Sequence, residues 1–203
     1  MSKGILMIVS GPSGSGKGTV VGRILEKRPD FVCSVSATTR MPRENEVDGV
    51  SYYFLDRAEF EGRIAKDMML EHAEYCGNYY GTPKKEVFAN LEAGRNVILE
   101  IEVQGAMQVK RRCPEAVMVM IAPPDYDTLE RRLRGRGDRV AEEVIRARLE
   151  KAKFELSLTP DYDYLVINGD DAVEVAADEI IGIADSEKRR TSRNKTFYDD
   201  FFA

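Results

Sequence analysis

Apolar positions in this chain fall into short runs separated by stretches of helical periodicity. Ile5-Leu6-Met7-Ile8-Val9 is too short for a helix and breaks at once into Gly11-Pro12, which predicts a strand buried on both faces. From Lys17 to Lys27 the period changes: Val20, Val21, Ile24 and Leu25 share one face, and Pro29 lies just past the end, so a helix is predicted. Val97-Ile98-Leu99, Val117 to Ile121 and Leu165-Val166-Ile167 repeat the buried-strand signature, with helical stretches between them. Strands alternating with helices predict an α/β fold in which a doubly wound parallel sheet is flanked by helices.

Two zones depart from that alternation. Residues 34–82 are richer in tyrosine, glycine and charge and lack long apolar strands, so they read as an inserted module of mixed α+β structure that holds a substrate. Residues from about 125 to 156 are helical and dense in arginine, opening with Asp125 as an N-cap after Pro123-Pro124. Gly135-Arg136-Gly137 interrupts this zone and permits a mobile lid. The core of a single domain then comprises residues 1–33, 83–124 and 157–187. The tail, 188–203, is basic and then aromatic-acidic, and is expected to be a solvated or frayed end.

Composition narrows the chemistry. A 203-residue chain that is 43% apolar can bury a core of its own. Its longest apolar run, Ala116 to Ala122, is far short of the roughly 20 residues a membrane helix needs. Ile5 to Val9 is likewise too short for a secretory leader, so no membrane partner is expected. Cys33, Cys76 and Cys113 are odd in number and widely spaced, which predicts neither disulfides nor a zinc site and fits a reducing cytoplasm. The formal charge of −5, from 35 acids and 30 bases, disfavours nucleic acid as a partner. Any anionic ligand must therefore meet a local cluster of cations. His72, the one histidine, excludes histidine triads and multi-histidine metal sites.

One such cluster is specific. Gly11-Pro12-Ser13-Gly14-Ser15-Gly16-Lys17-Gly18-Thr19 lies between the first strand and the first helix, the context a Walker A loop requires. Its glycines let backbone N–H groups converge on phosphate oxygens, the helix N-terminus adds partial positive charge, and Lys17 neutralises the β and γ phosphates of ATP. The strict pattern places Ser or Thr directly after the lysine as a magnesium ligand. Here Gly18 intervenes and Thr19 follows, so Mg²⁺ is expected to be held largely by ATP and water. The GKGT variant resembles the loop of nucleoside-monophosphate kinases.

The inserted module carries Ser34-Val35-Ser36-Ala37-Thr38-Thr39-Arg40-Met41-Pro42-Arg43, then Glu46, Gly49 and Tyr52-Tyr53-Phe54, then Glu71 and Gly77-Asn78-Tyr79-Tyr80-Gly81-Thr82. With the phosphate loop, these residues resemble the guanylate kinases over roughly Lys3 to Ile183. The resemblance implies a P-loop NTPase-type sheet with a GMP-binding module (34–82) and an arginine-rich lid, and ATP and GMP, or 2′-deoxy-GMP, as substrates. Arg40 and Arg43, three apart, suit a phosphate dianion through forked donors, with Ser36, Tyr52 and Tyr80 supplying hydroxyls. Guanine offers N1–H and an amine to one carboxylate and O6 to a hydroxyl, and Glu71 and Thr82 match those needs. Adenine reverses the pattern at positions 1 and 6 and is disfavoured.

Val97 to Gly105 places acids at the carboxyl end of a strand, where open α/β sheets bind ligands. Alternation along that strand sends Glu100 and Glu102 to one side, Glu100 toward magnesium-bound water and Glu102 toward the guanine amine. Arg132, Arg136 and Arg148 fall on the lid arginines of the resembled family, where transition-state charge calls for cations. Asn168 resembles the position near the ATP base.

The reaction so implied is in-line attack by a GMP phosphate oxygen on the γ-phosphorus of MgATP. With a second pKa near 6 the nucleophile is already ionised, so no general base is needed. Two other readings remain open on these residues: a non-catalytic module of the same fold, and a kinase for a sugar phosphate or another nucleotide. The intact loop and its cations argue against the first, and the guanine-edge set against the second. Oligomeric state is not legible.

Overall fold

The computed structural model describes residues 3–135 and 141–202. The elements are β1 (Leu6–Ser10), α1 (Lys17–Lys27), β2 (Phe31–Cys33), β3 (Ala37–Thr38), β4 (Tyr53–Phe54), α2 (Arg57–Ala65), β5 (Met69–Tyr75), β6 (Asn78–Pro83) and α3 (Lys84–Glu92). There follow β7 (Asn96–Glu100), α4 (Val103–Arg112), β8 (Val117–Ala122), α5 (Tyr126–Arg134), α6 (Glu142–Ser157), β9 (Tyr164–Ile167), α7 (Val173–Lys188) and α8 (Phe197–Phe202).

The larger sheet has the order β2-β7-β1-β8-β9 with every pairing parallel. β1 is central, and from Ile5 just before it the side chains alternate between two cores. Ile5, Met7 and Val9 face Val20, Ile24, Ala176 and Ile180 of α1 and α7, whereas Leu6 and Ile8 face Val87, Leu91, Ala106 and Val109 of α3 and α4. A strand buried on both faces cannot alternate polar with apolar, which is why β1 and β8 read as continuous apolar runs. Each fully buried Ile or Leu there contributes about 1.5–3 kcal/mol.

The 34–82 segment builds the second sheet, order β4-β3-β6-β5, mixed in direction, with a small core of Ala37, Phe60 and Met69 under α2. Leu70 belongs instead to the main core, so β5 ties the two parts together. α4 reinforces the tie: Gln108 accepts from the His72 N–H at 3.3 Å and donates to the His72 carbonyl at 3.0 Å, imitating a neighbouring strand along β5.

α5 and α6 pack on each other through Leu129, Leu133, Ile145, Leu149 and Ala152, apart from both sheet cores. Asp125 caps α5 as expected, accepting from the Thr128 N–H at 2.7 Å. Arg136 lies outside the described residues. The tail departs from a merely solvated end: Arg193 folds back to donate to Glu187 at 3.2 Å and to the Glu115 carbonyl at 2.6 Å. Among the described residues no helix is long and apolar enough to cross a membrane.

Candidate functional site

β1 delivers the chain to the centre of the sheet, and the loop from Gly11 to Gly16 turns it into α1. Gly14 (φ 93°) and Gly16 (φ 80°) take left-handed conformations that L side chains rarely adopt. At Gly16 space forbids a side chain as well, since a Cβ would stand 2.3 Å from Asn168 Nδ2. At Gly14 a Cβ would meet Leu129 and Leu133 at 3.1 and 3.4 Å, so α5 leans on the loop. Lys17 folds back, its Nζ donating to the Gly11 carbonyl at 3.1 Å.

Asn168 lies against the phosphate loop. It is 2% exposed, and its Nδ2 donates to the Ser15 carbonyl at 2.8 Å from the end of β9. It braces the loop backbone, while its Oδ1 is buried with no hydrogen-bond partner. β9 ends beside the loop, and the amide nitrogen spans that gap.

A cleft of about 400 Å³ opens over the loop, lined among others by Lys17, Thr19, Glu100, Glu102, Arg148 and Glu155. Glu100 is the exposed last residue of β7. It approaches the loop at residue 18, where even a Cβ would stand at an ordinary contact distance of 3.5 Å from its Oε1. Glu102 is not in the strand, contrary to the alternation argument. Pairing stops and Glu102 becomes the N-cap of α4 (φ −75°, ψ 161°), its carbonyl accepting from Ala106. Both acids still line the cleft, through a strand end and a helix cap. Thr19 and Glu100 offer hard oxygen donors of the kind Mg²⁺ takes alongside its waters. Among the described residues no group of three or more His, Cys, Asp or Glu is placed to hold a metal alone.

The first turn of α4 also meets Glu71. Glu71 is 5% exposed and accepts from the Thr82 hydroxyl at 2.7 Å across the β5–β6 pairing. Gly105 makes room for it, since a Cβ there would be 2.8 Å from its Oε2. Burial pushes the Glu71 carboxyl above its ordinary range, against the opposing effect of the Thr82 hydrogen bonds. Thr82 has its proton committed to Glu71 in this state, so donation to a base O6 requires the hydroxyl to turn.

Arg40, Tyr52 and Tyr80 cluster in the second sheet, the two tyrosine rings 6.2 Å apart. Arg40 is not a free fork. Its Nη1 and Nη2 each donate to Glu46 at 2.9 Å, and its guanidinium lies 5.5 Å from the Tyr52 ring centre. Glu46 also accepts from the Arg43 N–H at 2.7 Å. Those bonds, to Arg40 first, hold the Glu46 carboxyl down to about 2. Arg43 is exposed and Ser36 half-buried at the same rim.

On the lid, Arg132 donates to Asp170 at 3.0 Å, and Arg131 shares that carboxylate. Arg132 Nη1 is buried with no hydrogen-bond partner. Arg148 points into the cleft wall. Sequence reasoning missed Asp170 and also Lys151 and Glu155, which belong to the cleft wall. Their signal was available: residues 148, 151 and 155 share one face of a helix by their i, i+3, i+7 spacing. Gly105 and the role of Glu46 carried no local signal, because each answers to a neighbour distant in the chain or paired through a turn.

The family model for guanylate kinase matches residues 3–183. The chain is similar to the guanylate kinase of Lactococcus lactis, at 52% identity over 94% of this chain and 92% of that one. It is also similar to that of Desulfitobacterium hafniense, at 48% identity over 94% of each. The crystal structure of guanylate kinase from Anaplasma phagocytophilum superposes with a TM-score of 0.76, 35% identity, covering 95% of this chain and 90% of that one.

Proposed function

The chain belongs to the guanylate kinase family, and from that premise we propose how its own residues move the γ-phosphoryl group of ATP to GMP. The observation that carries the reading is one of placement. The phosphate loop and Glu102 line a single cleft, and the α4 turn that begins at Glu102 also touches the buried Glu71–Thr82 pair.

The Gly11–Thr19 loop holds the triphosphate, with Lys17 leaving the Gly11 carbonyl for the β and γ phosphates. Asn168 keeps the Ser15–Gly16 backbone in the shape that presents its N–H groups. Ser36, Arg40, Arg43, Tyr52 and Tyr80 hold the GMP phosphate, and Glu46 fixes the plane of the Arg40 fork so that its remaining donor face is set before the ligand arrives. Glu71 accepts from guanine N1–H and the amine, Thr82 turns toward O6, and Glu102 takes the outer amine proton. A GMP phosphate oxygen, already ionised at neutral pH, then attacks the γ-phosphorus in line.

Charge on the transferring group is met by Lys17, Arg132 and Arg148 as the α5–α6 pair settles over the loop. Mg²⁺ carried with ATP supplies further neutralisation of the phosphate oxygens, and Thr19 and Glu100 are the residues suited to hold it, directly or through its waters. The three free cysteines support a reducing, cytoplasmic setting.

Lys17→Ala tests the assignment. Turnover of ATP and GMP is expected to fall by about 10²-fold or more, the scale of losing one preorganised charge partner, while circular dichroism stays unchanged. A folded variant with full turnover rejects it.

A further inference from the structure

Lys151 lies on α6 one turn beyond Arg148 and reaches across the cleft, donating to both carboxylate oxygens of Glu102 at 2.9 Å each. The same ammonium is 3.7 Å from Glu155 Oε1 and 5.2 Å from the centre of the Tyr75 ring. Glu155 is 4% exposed and lines the cleft with Lys17. Lys151 therefore has two anionic positions within one side-chain rotation, an exposed one at the acceptor end and a buried one at the phosphate-loop end.

We propose that Lys151 is a positioning residue coupling the two substrates: with no acceptor bound it covers Glu102 as a stand-in for the base amine, and guanine displaces it toward Glu155 and the phosphate loop. This rests on reading Glu102 as an acceptor for the guanine amine. Displacement is cheap, because the Lys151–Glu102 side chains are 44% and 62% exposed and such pairs are worth little. The released ammonium stays in the cleft, because attraction to a buried carboxylate is less screened than to an exposed one. The positive charge facing the γ-phosphoryl group is then complete only when an acceptor is present. That limits the side reaction, in which a water oxygen bonds to the γ-phosphorus, the bond to the bridging oxygen of ADP breaks, and ADP and inorganic phosphate leave.

The test measures acceptor-independent ATP hydrolysis, and GMP kinetics, in the full chain. Glu102→Gln loosens the hold on Lys151 and is expected to raise acceptor-independent hydrolysis about two- to five-fold, the range over which an exposed ion pair shifts a population. Adding Lys151→Met to that variant is expected to remove the gain. Lys151→Met alone is expected to lower KM for GMP by a similar factor while also lowering kcat, and Lys151→Arg to restore kcat. Loss of a merely structural contact does not produce that split. Unchanged hydrolysis in Glu102→Gln, or Lys151→Met with kcat and KM both unaltered, overturns the proposal. Glu102→Gln is also compared on GMP and inosine monophosphate, which lacks the amine. If its preference for GMP stays at the wild-type level, the reading of Glu102 falls and this inference with it. If that preference drops while the Lys151 variants are silent, the inference alone falls.

Discussion

A carboxylate that accepts two donors from a base must be ionised, and Glu71 is buried with a single hydroxyl donor, Thr82, to help it. Burial raises its pKa above the ordinary 4.5, so protonation begins at a higher pH than for an exposed glutamate. GMP affinity is expected to weaken as pH falls through that raised value. Comparison with Glu71→Gln isolates the effect, because ionisation of the GMP phosphate is common to both proteins. Stability of the free chain runs the other way: a raised folded pKa contributes stability below 4.5 that is lost as pH rises through the folded value. Glu46 has the opposite sign: Arg40 first, and the Arg43 N–H, hold its carboxyl at about 2, so its contribution to stability is fully present above 4.5 and is lost as pH falls toward 2. A GMP affinity that tracks pH identically in wild type and Glu71→Gln contradicts the assignment. At this scale the sequence was legible in placement: Glu71 and Thr82, assigned to one base edge, meet across β5–β6, Arg40 stands with Tyr52 and Tyr80, and Lys17 lines the cleft. It was not legible where the partner is far away in the chain: nothing near Asn168 announces Ser15, and nothing near Gly105 announces Glu71.

Among the elements, the lid pair α5–α6 has its own small core and rests on the phosphate loop through Leu129 and Leu133. Leu133→Ala removes a side chain that is 1% exposed and is expected to cost about 2–5 kcal/mol of lid packing. Amide exchange should accelerate in α5 and α6 while β1 and β8 keep their protection, and kcat should fall more than KM for GMP rises. Uniform acceleration across both sheets would show that the lid is not an independent packing unit. Long elements were legible because period needs length to show itself. β1, β8 and α1 display it. β3 and β4, two residues each, cannot, and the step from strand end to helix cap between Glu100 and Glu102 is invisible to alternation.

For the whole molecule, the −5 charge conceals cations presented by three separate parts: Lys17 from the loop, Arg40 and Arg43 from the second-sheet module, and Arg132, Arg148 and Lys151 from the lid, of which Lys17, Arg148 and Lys151 line the cleft over the loop. Bringing two polyanions together requires these parts to converge. Small-angle scattering is expected to show a smaller radius of gyration with GMP and a non-hydrolysable ATP analogue together than with either alone, and an unchanged radius would remove convergence from the account. The parallel order of the larger sheet and the inserted module both follow from the pattern of short apolar runs broken by a tyrosine-rich stretch. How the lid and module face each other did not, because it depends on contacts between segments with no sequence relation.

Transfer to a guanine nucleotide is tested by measuring ADP formed from ATP with GMP, 2′-deoxy-GMP, AMP or ribose 1,5-bisphosphate as acceptor. The Glu71–Thr82 pair predicts rapid ADP formation with the two guanine nucleotides and, because a buried carboxylate left unpaired discriminates by about 10⁴-fold or more, almost none with AMP or the sugar phosphate. ADP formed equally well with AMP or ribose 1,5-bisphosphate, or with no dependence on any acceptor, would contradict it.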